Sequence, residues 1–176
     1  MSSEPPVNAQ STLTEQDLLH WIEARCDHLQ AQAKVLVDDY WRQLKSQRQK
    51  HSKSESGRVG VRIRCRENQR AFSIEWYRMA TLRQNGQNKP IAQYLKKGRG
   101  YRYPLGNMLK GEPAWETDLV EELETEFAHI RQQLDRLGKI RDAVQRYCRV
   151  IEADTDNKLS VDVAKSKHCT NKPVRK

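Results

Sequence analysis

The chain is short of the residue types on which several kinds of function depend. Its 176 residues include four cysteines, two phenylalanines and five histidines. Cys26, Cys65, Cys148 and Cys169 are scattered and form no CxxC pair. Cys26-Asp27-His28 and His168-Cys169 are close Cys/His neighbours, but neither has a convincing second pair, so no structural zinc site is expected. An apolar signal segment is missing, and so is any run of about 18 apolar residues, which points to a soluble cytoplasmic protein with reduced thiols. His20, His28, His51, His129 and His168 make neither HxH nor HExxH, which argues against a metal-dependent nuclease and against a relaxase. A GxxxxGK[ST] loop, a strand-flanked GxGxxG and a GxSxG elbow are also missing. The acidic run Glu121, Glu122, Glu124 and Glu126 reads as a solvated helix face. No enzyme activity, cofactor or metal is expected.

Charge is plentiful, and it is unevenly placed. The net charge is +9, with 36% of residues apolar and 31% charged. Residues 51–110 hold fourteen Lys and Arg against three acids, residues 13–50 balance at six against six, and residues 111–154 hold six against eleven. A basic middle between neutral and acidic flanks is a directed patch. Arginine outnumbers lysine nine to five within it. Its planar fork suits phosphates and guanine edges, whereas solubility alone would be served as well by lysine.

Two long helices bracket that patch. Thr14 and Asp17 have capping-box spacing, and Leu19, Ile22, Cys26, Leu29, Ala33, Leu36, Tyr40 and Leu44 then recur at spacings of three and four. A helix over 14–50 is predicted. A second, over 113–153, begins near Pro113 with Glu112, Glu116 and Asp118 complementing its dipole. Its seam is Leu119, Leu123, Phe127, Ile130, Leu134, Leu137, Val144, Cys148 and Ile151, with a weak point expected at Gly138 and Arg141. Residues 1–12 and 154–176 read as a disordered leader and a disordered basic tail. The expected fold is α+β, a single domain over 13–153: two long antiparallel, coiled-coil-like helices joined by a basic β-hairpin region over 57–103. The same seams suit pairing between chains, so a homodimer stays open.

Arg58 to Arg78 is the most informative stretch. Strict alternation puts Val59, Val61, Ile63 and Cys65 on one strand face and Arg62, Arg64 and Arg66 on the other. A hairpin closed around Glu67 to Arg70 pairs Cys65 with Phe72, Ile63 with Ile74 and Val61 with Trp76. It also sets Arg66, Arg64 and Arg62 beside Ala71, Ser73 and Glu75. A two-stranded ribbon with an apolar back and an arginine front fits the DNA major groove. The structural alternative for these arginines is pairing with Glu75 and other acids. Trp76 belongs to the apolar face, and Tyr77 to the opposite one. Asn85-Gly86-Gln87-Asn88 marks a turn, and residues 90–96 fit either a third strand or a short helix. Lys96, Lys97, Arg99 and Arg102 suit phosphates, while Tyr101 and Tyr103 suit stacking on bases or plain packing. The candidate DNA-binding set is Arg58, Arg62, Arg64, Arg66, Arg70, Tyr77, Arg78, Lys96, Lys97, Arg99, Tyr101, Arg102 and Tyr103.

Together, DDYWRQL in the first helix, RVGVRIRCRENQRAFSIEWYR in the hairpin and YLKKGRGYRYPL in the loop resemble the MobI-type conjugative transfer proteins of integrative conjugative elements and related conjugative plasmids. The resemblance covers residues 15–150. It implies an auxiliary factor that recognises the origin of transfer on double-stranded DNA and helps a relaxase start DNA processing. The candidate residues rest on the ribbon alone, since the resemblance carries no assigned residue roles. Two other readings stay open: a coiled-coil adaptor whose basic head binds an acidic protein, and a small transcriptional regulator.

Overall fold

Thr14 and Asp17 start the first helix by exchanging hydrogen bonds. The Thr14 amide donates to Asp17 Oδ2 at 2.9 Å and the Asp17 amide to Thr14 Oγ1 at 3.2 Å, which satisfies two donors that a bare helix end leaves orphaned. The bond from Thr14 also holds the Asp17 carboxyl below its usual range. From there α1 runs over Glu15–Lys50 without a Gly or Pro to break it. The computed structural model of the chain describes residues 13–52, 56–66 and 69–168, with side chains described for all of these except 66, 69–71, 107 and 154–168. The expected leader at 1–12 and the end of the expected tail, 169–176, lie outside the described residues.

Three strands follow, β1 (Val59–Arg66), β2 (Gln69–Gln84) and β3 (Gln87–Tyr94), then a one-turn helix α2 (Leu105–Met108) and a long helix α3 (Ala114–His168). The fold is α+β, and the sheet is antiparallel in the order β1-β2-β3. Val61 pairs with Trp76, Ile63 with Ile74 and Cys65 with Phe72, as the alternation predicts. Arg66 departs from expectation. The register shifts between Cys65 and Arg66, so that Arg66 lies opposite Gln69 and not Ala71, and β2 starts inside the expected loop. A bulge of this kind adds one residue to a strand and needs no Gly or Pro to announce it. Residues 87–94 form a strand, which settles the open choice for the segment from Pro90. The turn between β2 and β3 places Asn85 at φ 53° and Gly86 at φ 77°. Two positive-φ residues make the tight hairpin turn that Asn-Gly favours.

The described residues divide into two compact units, 23–137 and 13–22 with 138–168. In the larger unit Arg25 donates to Gln133 at 3.2 Å and His51 stacks on Trp115, so α1 and α3 run in opposite directions there. Three rings meet at the centre of its core. Tyr40 meets Trp76 edge-on at 5.4 Å, Trp76 meets Phe127 at 5.7 Å, and all three are fully buried. Edge-to-face rings gain from quadrupole geometry as well as from burial. Both helix seams face inward here: Leu29, Ala33, Tyr40 and Leu44 from α1, and Leu119, Leu123, Phe127, Ile130 and Leu137 from α3, are buried.

Helix contacts also cover the free edge of β1. The Arg58 carbonyl takes the Met79 amide toward β2, so the Val59 and Val61 backbone groups point outward. Tyr40 donates its hydroxyl to the Val59 carbonyl at 2.9 Å, Trp41 its indole N–H to the Val61 carbonyl at 3.2 Å, and the Val59 amide donates to Glu116 at 2.9 Å. At Val59 and Val61 the edge is thereby closed to another strand.

In the smaller unit α3 passes through Gly138 and Arg141 without a break and stays helical to His168, beyond the expected end at 153. Residues 154–168 were expected to be disordered because they have few apolar side chains. They also hold no Gly or Pro, and extending a helix that is already nucleated adds one hydrogen bond per residue fixed.

Candidate nucleic-acid interface

The outer face of β1 and β2 carries the predicted arginines. Arg62 and Arg64 stand opposite Glu75 and Ser73, with side chains 38% and 50% exposed. Both reach one carboxylate. Arg62 Nη2 lies 2.8 Å from Glu75 Oε2, and Arg64 Nη1 lies 3.6 Å from Glu75 Oε1. Burial pushes the Glu75 carboxyl up, but hydrogen bonds from Arg62 and Ser73 and the two guanidinium charges outweigh it and hold it below the usual range. The Arg62 guanidinium also sits 4.0 Å over the Tyr94 ring, which itself lies beside Tyr77. Cross-strand pairing and solvent exposure therefore coexist, with two cations against one anion. Arg66 and Arg70 lie on β1 and β2, but their side chains are outside those described.

Arg78 is committed elsewhere, and Arg58 shares its partner while its side chain stays 55% exposed. Each lies 3.2 Å from the buried Glu112 carboxylate, and Arg78 also donates to the Met108 carbonyl, so they tie the sheet to the segment before α3. Next to them Glu116, fully buried, accepts the Arg58 and Val59 amides at 3.0 and 2.9 Å. Burial pushes its carboxyl up to about 7 despite those two bonds, and Glu112 pushes the same way. Gly57 makes this possible, because a Cβ there would collide with the Glu116 carboxylate.

The loop from Leu95 to Pro104 divides its predicted residues. Lys96, Arg99 and Arg102 are exposed, with Arg102 donating to the Thr125 hydroxyl, and Lys97 donates to the Gly100 carbonyl. Tyr101 donates to Asp135 at 2.8 Å. Tyr103 is buried, its ring 4.8 Å beneath the Arg131 guanidinium, so packing takes it rather than stacking on a base. Because β3 ends at Tyr94, the edge of β2 at residues 72–75 is open. A cleft of about 420 Å³ forms there between β2, the loop and α3, lined among others by Ser73, Glu75, Lys97, Arg99, Tyr101 and Asp135. Glu75 thus joins the arginine face to the basic loop.

Behind the cleft sits a buried charge pair that sequence reasoning missed. The sequence places Glu124 on a solvated face with Glu121, Glu122 and Glu126. Those three are exposed, but Glu124 is fully buried and accepts four hydrogen bonds. The donors are Trp76 Nε1 at 2.6 Å, the Tyr103 amide at 2.7 Å, and both terminal nitrogens of Arg131 at 2.8 and 3.1 Å. One signal was available: Glu124 and Arg131 are seven residues apart, within the stripe that carries Phe127 and Ile130.

Among the described residues no helix is long and apolar enough to cross a membrane, and no group of three or more His, Cys, Asp and Glu is placed to hold a metal. No curated protein and no solved structure matches the chain. The MobI protein family model matches residues 29–145, which take in most of α1, the whole sheet, the basic loop and the first half of α3, so the chain belongs to the MobI family and is a MobI-type mobilisation protein.

Proposed function

We propose that the chain is a non-catalytic DNA-binding accessory factor that recognises the origin of transfer and supports relaxase-initiated conjugative transfer. The observation that carries this reading is the two-sided β1–β2 ribbon. Its apolar face is buried against Tyr40 and Phe127, while its other face holds Arg62 and Arg64 in the open over a single shared carboxylate. That face keeps an excess of planar cations, the group best matched to phosphates and guanine edges. Lys97 and Arg99 at the neighbouring cleft extend it toward the phosphate backbone. Membership of a mobilisation family supports a task on transfer DNA. The heptad spacing of both helices supports coiled-coil packing between them, and the exposed Ile140, Tyr147 and Val150 of α3 offer an apolar surface to a protein partner such as the relaxase.

The test is a gel-shift titration with a duplex carrying the transfer origin of the element that encodes the chain. Replacing Arg62, Arg64 and Arg66 by Glu is expected to weaken binding about a hundredfold or more, with helix content unchanged. Undiminished binding in that variant would move the interface away from the ribbon. Binding to an acidic protein but to no duplex would replace the DNA reading with an adaptor role.

A further inference from the structure

The outer part of the β2–β3 hairpin has no core behind it. From Thr81 to Tyr94 every residue is exposed, including Leu82 at 48% and Ile91 at 41%. Five cross-strand pairs, Ala80 with Ile91 through Gln84 with Gln87, form a free-standing ribbon closed by the Asn85-Gly86 turn. At about 3.4 Å per residue it extends roughly 17 Å. A bare two-stranded ribbon is marginal in water.

Its chemistry is selective. No carboxylate occurs between Trp76 and Gly111, a stretch that holds eight Lys and Arg. The ribbon itself carries Arg83 and Lys89 with four carboxamides, Gln84, Asn85, Gln87 and Asn88. Solubility would be served by Glu and Lys, whereas carboxamides and cations without acids match the donor and acceptor pattern of base edges beside phosphates. Pairing by strand addition is disfavoured. The Leu95 amide bonds to the Trp76 carbonyl, so odd-numbered β3 residues face β2 and the backbone of Pro90 faces outward, where it has no N–H to offer a further strand. That argues against a second copy of the chain or an extended peptide as the occupant.

We propose that this ribbon enters the major groove of duplex DNA and reads base edges with the face bearing Leu82, Gln84, Gln87, Lys89 and Ile91. The inference rests on the DNA-binding reading above and adds to it a division of labour. Arg62 and Arg64 hold the phosphate backbone from one face of the sheet, and the β2–β3 arm carries sequence discrimination from the other, which the twist of a bare two-stranded ribbon turns toward the same duplex. Cross-strand neighbours share a face, so the two glutamines stand side by side at the tip, each able to bond bidentately to an adenine. Leu82 and Ile91 on the same face suit thymine methyl groups, which accounts for apolar side chains left in water.

The experiment selects preferred duplexes from a library randomised over 20 base pairs using the full chain. It then compares affinity for a selected duplex and for a scrambled one of the same composition. Gln84→Ala/Gln87→Ala is expected to lower the selected-to-scrambled affinity ratio about tenfold or more, leaving the scrambled duplex bound as before. Thr81→Ala/Asn88→Ala, on the opposite face, is expected to leave the ratio unchanged. An unchanged ratio in the glutamine variant, an equal loss on both duplexes, or a wild-type chain that binds DNA yet enriches no sequence would each overturn the arm assignment while sparing the DNA-binding reading. A wild-type chain that retains no duplex at all would overturn both.

Discussion

Trp76 Nε1 donates to Glu124 Oε2 at 2.6 Å, with both side chains fully buried. This bond joins the middle of the sheet to α3, and it sets the Glu124 carboxylate against the rings at the centre of the core. Its carboxylate is matched by four donors, two of them on Arg131. The desolvation cost of such a pair is offset only while both partners are present. Glu124→Gln is therefore expected to destabilise the chain by about 3–5 kcal/mol, because Arg131 remains charged and uncompensated. Glu124→Leu combined with Arg131→Met should recover a large part of that loss. Urea unfolding of Glu124→Leu, Arg131→Met and the double variant measures the coupling, and additive losses would show that the pair does not act as a unit.

The first hairpin was legible because its two faces differ so sharply. Val61, Ile63 and Cys65 have only one register with Trp76, Ile74 and Phe72 that also puts Arg62 beside Glu75, and that register is the one observed. The start of α1 was legible from two residues, Thr14 and Asp17. The bulge at Cys65 and Arg66 was not, because a one-residue slip beside a polar turn leaves no hydrophobic signature. Nor was β3, whose exposure on both faces removes the alternation by which a strand is recognised. Glu124 and Glu116 were hidden for a different reason. Exposed and buried carboxylates look alike until their donors, Trp76, Arg131 and the Arg58 and Val59 amides, are brought to them by tertiary packing.

Glu116 makes stability fall as pH rises through the weakly acidic range. Its folded carboxyl titrates at about 7, above the ordinary value of 4.5, so the native state binds more protons than the unfolded chain between these values. Stability from this group is full below about pH 4.5 and is lost toward pH 7, by on the order of 2 kcal/mol, or a few degrees in Tm. The surrounding groups are Glu112, Arg58 and Tyr40, whose hydroxyl burial pushes well above its usual range. Glu75, with a lowered pKa, contributes the opposite slope at lower pH. Thermal melts at pH 5 and pH 7.5 should show the difference in the wild type and a flatter profile in Glu116→Gln. An identical profile in the two proteins would remove Glu116 as its source.

Gly60 has no side chain because Tyr77 occupies the space. A Cβ at Gly60 would lie 2.5 Å from the Tyr77 ring, well inside any real contact. Tyr77 in turn packs on Tyr94, over which the Arg62 guanidinium rests. Gly60→Ala is expected to cost about 1–3 kcal/mol through this overpacking. It should also displace Arg62 and weaken DNA binding by more than the stability loss explains. Affinity measured at a temperature where the variant remains folded separates the two effects.

Glu75 restrains the arginines that the DNA reading requires, and removing its charge tests that reading in the opposite direction to their reversal. Its carboxylate lies 2.8 Å from Arg62 and 3.6 Å from Arg64, so a phosphate that takes either guanidinium must compete with it. Partly exposed pairs of this kind add about 0–1 kcal/mol to stability, so Glu75→Gln should leave the fold almost untouched. Affinity for duplex DNA should rise about three- to tenfold, since one repelled charge near the phosphates is gone. If about six cations neutralise phosphates, wild-type affinity should fall by roughly three orders of magnitude between 50 and 200 mM salt. The Glu75→Gln slope should be steeper by about one counterion. Affinity that ignores both salt and this substitution would mean that the arginine face does not meet DNA, because no arrangement of phosphates against Arg62 and Arg64 can be indifferent to the carboxylate between them.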